Sequence, residues 1–138
     1  MYRRILLPVD LTDKNQSALA AARELLGGSG TAVLLHVIET IADAPFEDME
    51  DFYQRLEKKA RTRMNDLAEE LGTGDIDVEQ RVIYGKRVRE IVTYAQDLQA
   101  DLIILCSHPL DLDNPQAAWG SISNQVAILA PCPVLLIK

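Results

Sequence analysis

The sequence predicts an α/β fold: a five-stranded parallel sheet with helices on both faces. Two observations predict it. Five short apolar runs alternate with segments of helical periodicity, which calls for parallel strands joined by right-handed crossovers. Four of those runs are almost unbroken Val, Ile and Leu, as strands buried on both faces must be. A chain of 138 residues, 48% hydrophobic and 25% charged, can bury one real core, so one domain over 1–138 is expected.

The first strand is expected over Ile5–Val9. A helix follows near Lys14–Leu26, with Ala18, Leu19, Ala22 and Leu25 turned to the core. Gly27-Gly28 stops it, because glycine accepts the left-handed position beyond a helix end. Ala32–Val37 is the second strand. A helix near Asp48–Leu71 repeats Phe52, Leu56, Ala60, Met64, Leu67 and Leu71 at three- to four-residue spacing and ends at Gly72. Val78–Ile83 alternates apolar and polar residues, which suits a sheet edge. The third helix, near Arg87–Leu98, carries Val88, Ile91, Ala95 and Leu98. Leu102–Leu105 is the fourth strand. A last helix near Ser121–Leu129, with Ile122, Val126 and Leu129, stops before Pro131 and leads to the strand Val134–Ile137. The loops Ile38–Glu47 and Cys106–Trp119 are long, which inside a compact domain marks functional segments.

Composition narrows the function. Fourteen basic against 21 acidic side chains leave a net charge of −7, whose field repels a phosphate backbone and argues against nucleic acid. No run approaches the ~18 apolar residues of a membrane span. The basic-then-apolar start, Arg3 to Asp10, falls short of the roughly 7–15 apolar residues of a secretory leader, so a cytoplasmic protein is expected. Cys106 and Cys132 form neither a disulfide scaffold nor a zinc site. At opposite ends of two parallel strands they would stand ~13 Å apart, beyond the ~7 Å Cα limit of a bridge.

In doubly wound sheets, ligands bind beyond the carboxyl ends of the strands, where strand order reverses. With the first and fourth strands adjacent there, Asp10 and the segment Cys106–Ser121 face each other across the crevice.

The blocks Arg4-Ile5-Leu6-Leu7-Pro8-Val9-Asp10, Leu34-Leu35-His36-Val37, Ala100-Asp101-Leu102-Ile103-Ile104-Leu105 and Ala130-Pro131-Cys132-Pro133-Val134-Leu135-Leu136-Ile137 resemble the universal stress protein family, in order and at its spacing. The resemblance implies strand order 3-2-1-4-5 in a Rossmann-like fold of the adenine nucleotide alpha hydrolase type. It also implies homodimers and a cytoplasmic role in the stress response. One branch of the family binds ATP through G-x2-G-x9-G-(S/T) after the fourth strand; the other lacks the pattern.

This chain departs from that pattern. Cys106 holds the first glycine position and Pro109 the second, while Ser107 and His108 match the usual pair. Ten residues, Leu110 to Trp119, separate Pro109 from Gly120-Ser121 where the pattern has nine. Glycines there let backbone N–H groups approach phosphate oxygens, and a proline removes one donor and fixes φ. Asp111 and Asp113 add repulsion of roughly 3 kcal/mol per charge pair at about 5 Å and an effective dielectric of ~20, before salt screening. A divalent cation would reverse that sign. Gly120-Ser121 still opens the last helix, whose free N–H groups and dipole favour an anion. On the resemblance, the candidate nucleotide contacts are Pro8, Val9, Asp10, Val37, Ser107, His108, Gly120, Ser121 and Ile122.

Each of these residues also has a plainer role. Asp10 either binds a ribose hydroxyl or caps the turn Leu11–Lys14. Val37 either offers its backbone to an adenine edge or is simply core. His36 reads as a hydrogen-bonded structural histidine, and His108 as a solvated loop residue. His108, Asp111 and Asp113 match no EF-hand spacing, so no metal is expected. Ser107, His108 and Asp111 have a triad's composition, but neighbours on an extended segment point apart, so no catalytic residue is expected. Ser121 and Ser123 either cap the last helix or accept a phosphoryl group. Trp119 either covers the crevice or staples onto the helix. Lys86, Arg87 and Arg89 either hold an anionic partner or form a solvated face paired with Glu90 or Asp97.

The expectation is therefore a non-enzymatic, dimeric stress-response protein that binds nucleotide weakly or not at all. The alternative is a sensor of ATP, ADP or AMP with a rebuilt phosphate loop. The apolar last strand, Val134, Leu135, Leu136 and Ile137, is an edge that invites pairing with its copy. A regulated protein partner, such as a transporter, is compatible with the family.

Overall fold

A computed structural model describes residues 2–12, 14–41, 45–107, 112–114 and 120–138. The elements run β1 (Arg4–Pro8), α1 (Asn15–Leu26), β2 (Ser29–Ile38), a 3-10 turn (Phe46–Met49) and α2 (Glu50–Leu71). They continue with β3 (Asp75–Tyr84), α3 (Arg87–Leu98), β4 (Leu102–Cys106), α4 (Ile122–Leu129) and β5 (Val134–Ile137). The sheet has the order β3-β2-β1-β4-β5 and every pairing is parallel. β1 lies between β2, from Arg4↔Thr31 to Pro8↔Leu35, and β4, at Ile5↔Leu102 and Leu6↔Ile103. Its carboxyl end is therefore the point where strand order reverses.

Alternation along the strands divides the core in two. Ile5, Leu7, Leu34 and Ile104 pack with Ala18, Leu19 and Ala22 of α1 and Met64, Leu67 and Leu71 of α2. Leu6, Val33, Leu35 and Ile103 pack on the other face with Ile91 and Ala95 of α3 and Val126 of α4. A one-residue step reverses the face, which is why the strands are apolar throughout. Each fully buried Leu or Ile adds roughly 1.5–3 kcal/mol.

Three helical faces differ from expectation. In α1 the buried leucine is Leu26, and Leu25 is exposed. In α2 the buried row is Tyr53, Ala60, Met64, Leu67 and Leu71, while Phe52 and Leu56 are exposed. One residue on a helix is a rotation of about 100°, and here the tyrosine wins the inner position over the phenylalanine. Its hydroxyl accepts the Ile41 N–H at 2.8 Å, so the polar tip is satisfied inside. In α4, Val126 and Ser123 are buried and Leu129 is exposed.

β3 is an edge strand, as its alternation implies, and extends beyond Val78–Ile83 at both ends. Asp75, Asp77, Glu79 and Arg81 are exposed along it, and such charges discourage edge-to-edge pairing. At the amino ends of the strands, the Asp101 carboxylate accepts the N–H groups of Arg3 and Arg4, both at 2.9 Å. Gly30 (φ +99°) lies so close to the first strand that a Cβ would come within 2.9 Å of Arg3 O. Among the described residues no helix is long and apolar enough to cross a membrane.

Candidate functional site

Asp10, two residues past β1, stands at the switch point. Its Oδ1 accepts three hydrogen bonds: from Thr12 N (3.0 Å), Thr12 Oγ1 (2.7 Å) and Asn15 Nδ2 (3.0 Å). Asn15, almost fully buried, also donates to Thr12 O at 2.9 Å. D-x-T-x-x-N is thus a polar knot that turns the chain from β1 into α1, through Leu11 at φ +68°. Burial alone would raise the Asp10 carboxyl, but the bonds from Thr12 and Asn15 outweigh it and hold the pKa below the ordinary value. Of the two roles open to Asp10, the cap is directly visible.

Val9 and Val37 are buried. Val9 N–H donates to Leu35 O at 2.8 Å, and Val9 O accepts from His36 Nδ1 at 2.8 Å. A carbonyl only accepts, so Nδ1 carries the proton. His36 is the expected structural histidine. Val37 stands opposite Ile83 in the β2–β3 ladder.

Beside the Asp10 turn, Cys106 ends β4. Its thiol donates to Lys14 O at 3.0 Å, tying β4 to the start of α1. Burial first, then the negative charge of Asp10, pushes this thiol's pKa up. It is a poor nucleophile in this setting. Cys132 lies at the other end of the sheet, where burial and then Asp101 raise its thiol likewise. Cys106 pairs with Ile137, five positions along from Cys132, and both thiols are free.

Beyond Cys106, the N–H of Ser107 donates to Ile137 O at 2.7 Å and lengthens the sheet by one rung. Its hydroxyl meets Ser123 Oγ at 3.1 Å, and Ser123 Oγ meets Ser121 Oγ at 3.3 Å. Ser121 caps α4 by accepting Asn124 N–H at 3.3 Å. A chain of three hydroxyls therefore links the end of β4 to the start of α4. The first-turn N–H groups of Ile122 and Ser123 have no acceptor within the helix. Ser123, with 8% of its surface exposed, is the member that sequence reasoning assigned only to capping or modification. The S-x-S spacing after Gly120 is the signal that could have found it.

The structure thus brings together Asp10, Cys106 and Lys14 on one wall and Ser107, Ser121 and Ser123 on the other. His108, Pro109, Asp111 and Trp119 lie outside the described residues, so of the Ser107, His108 and Asp111 composition only Ser107 is described. Among the described residues, no group of three or more His, Cys, Asp or Glu gathers as a metal would require. The basic cluster departs from expectation. Among the described residues, Lys86, Arg87 and Arg89 make no ion pair with Glu90 or Asp97. Instead Glu39, just past β2, accepts the Arg87 N–H at 3.2 Å and caps α3 from outside. Glu90 lies over Gly85 (φ +150°), where a Cβ would come within 2.7 Å of its carboxylate.

A doubly wound sheet with polar groups gathered at its switch point defines a Rossmann-like α/β protein. Comparison with known proteins gives the family. The model of the "Universal stress protein family" matches residues 1–138, and the chain belongs to that family. It is 30% identical over 142 residues to a universal stress protein of Thermus aquaticus, covering all of both chains. It is similar to the solved structure of protein MJ0577, from Methanocaldococcus jannaschii, with a TM-score of 0.81 at 27% identity, covering 100% of this chain and 96% of the other. More distant in sequence, at 20% identity, are a universal stress protein in complex with cAMP and one from Archaeoglobus fulgidus in complex with dAMP. Their TM-scores are 0.73 and 0.63; they cover 99% of this chain, and 97% and 98% of their own.

Proposed function

We propose that this universal stress protein is a non-catalytic regulatory dimer whose phosphate-loop position no longer holds a triphosphate. Cys106 carries the reading. Where a nucleotide-binding loop needs a bare glycine, this chain has a side chain bonded to Lys14 O and facing the charge of Asp10. Pro109 takes the second glycine position and removes a donor. Asp10, which would serve a ribose, spends three hydrogen bonds on its own turn. The homodimer rests on β5, which has no charged residue from Val134 to Ile137 and has a free edge in a single chain.

One observation favours a second reading, an adenosine monophosphate sensor. The start of α4 keeps Ser121 and Ser107 beside the positive end of the helix dipole, a setting that suits a single phosphate. The relatives solved with cAMP and dAMP carry a single phosphate.

Titration calorimetry with Mg-ATP and with AMP separates these readings. The wild type should give no heat with Mg-ATP. A variant with Cys106→Gly, Pro109→Gly and one residue removed between Leu110 and Trp119 should gain binding. Heat from AMP alone would select the second reading; tight Mg-ATP binding by the wild type would defeat the first.

A further inference from the structure

We propose that the exposed face at the amino end of α2 is a docking surface for α2 of a second copy, packed antiparallel, distinct from the β5 edge. Phe52 and Leu56 stand one turn apart on it, 40% and 36% exposed. Phe52 continues inward to Tyr53 (ring centroids 5.6 Å apart), on which Phe46 stacks at 5.1 Å while remaining half exposed. The apolar patch is therefore contiguous and anchored to the core.

Charge is ordered along this face. Asp48 and Asp51 precede Phe52, and Arg55 and Lys59 follow, all within about 100° of Phe52 around the helix. Both groups are exposed. Among the described residues, Asp48, Asp51, Arg55 and Lys59 make no ion pair, although Asp51 and Arg55 have the i,i+4 spacing at which one forms. The helix macrodipole explains acids at the amino end. It explains neither the bases further along nor the two apolar side chains between them.

The two charge centres lie roughly 12 Å apart along the axis at about 1.5 Å per residue, with Phe52 and Leu56 between them. A two-fold axis through that midpoint sets the acids of one copy against the bases of the other and buries both apolar pairs together. A partner of uniform charge would be repelled by half of the face, and a second copy is not. α2 covers β2 and β3, at the opposite side of the sheet from β5. One chain can therefore use both interfaces, and dimers joined through β5 would pair again into tetramers.

The test is sedimentation of the intact chain over a wide concentration range, in low salt and in about 1 M salt, where the Debye length falls to roughly 3 Å. The proposal expects a species of twice the mass of the salt-resistant one, present in low salt and lost in high salt. Two variants, Asp48→Lys/Asp51→Lys and Arg55→Glu/Lys59→Glu, should each lose the doubling, and an equal mixture of the two should restore it. Thermal melts check that both fold; the second lies away from the helix start and keeps the test valid if the first does not. A wild type with no salt-sensitive doubling overturns the proposal and gives the face to another occupant. Doubling that survives the charge reversals, or a mixture of folded variants that fails to restore it, overturns it equally.

Discussion

The two walls of the switch-point crevice are built on different principles. On the β1 side, Asp10, Thr12 and Asn15 close a knot in which the carboxylate caps its own turn, within five residues of sequence. On the β4 side, Ser107, Ser123 and Ser121 join two elements across sixteen residues through hydroxyls that donate and accept alike. The first wall is local, charged and committed. The second is assembled at long range from neutral groups that can exchange partners. The charged, local wall is therefore expected to contribute more to stability than the neutral one.

The largest expected effect breaks the first wall. Asp10→Ala leaves the Thr12 and Asn15 donors without their acceptor and should cost about 2 kcal/mol, a fall in Tm of roughly 7 °C for a chain of this size. Ser123→Ala removes the middle hydroxyl of the second wall. It should cost about 1 kcal/mol, because Ser107 and Ser121 retain access to water. Ser121→Ala should cost about the same or less, through the lost cap. A thermal-melt series on the three variants checks the order, which would reverse if the long-range wall held the fold.

The smallest effect is in pH. The folded-state pKa of Asp10 lies below the ordinary aspartate value of 3.8, so its contribution is fully present above that value and is lost as pH falls through the folded value. The Tm gap between wild type and Asp10→Asn should be constant from about pH 5 upward and narrow only below about pH 4. A gap that instead opened on acidification would contradict the hydrogen-bonded cap.

Much of this was legible in the sequence because it follows from periodicity and local chemistry. The strand order followed the family blocks, α3 fell on Arg87–Leu98 as expected, and the parallel ladders sort the core as unbroken apolar strands demand. His36 as a structural histidine was readable from position, whereas Asp10 stood open between a turn cap and a ribose contact, and its hydrogen bonds from Thr12 and Asn15 show the cap. What pattern could not supply was choice among neighbours. Tyr53 displaces Phe52 from the core because its hydroxyl finds Ile41 N–H, a partner twelve residues away. Leu25 and Leu26 are adjacent and equally apolar, so pattern alone does not choose between them, and Leu26 takes the inner face. Glu39 serves α3 from 48 residues away, and Ser123 serves β4 from sixteen. Local spacing names neither partner, although the S-x-S after Gly120 marks Ser123 itself.

Whether the phosphate-loop position serves a triphosphate is read most directly from Tm with and without millimolar Mg-ATP, with ADP and AMP alongside. At about 100 times Kd, a bound ligand adds about 2.7 kcal/mol, or roughly 9 °C for this chain. Tm should not shift with Mg-ATP. A shift of several degrees with Mg-ATP would contradict the proposed loss of triphosphate binding and show that the loop has been rebuilt around Cys106 and Pro109.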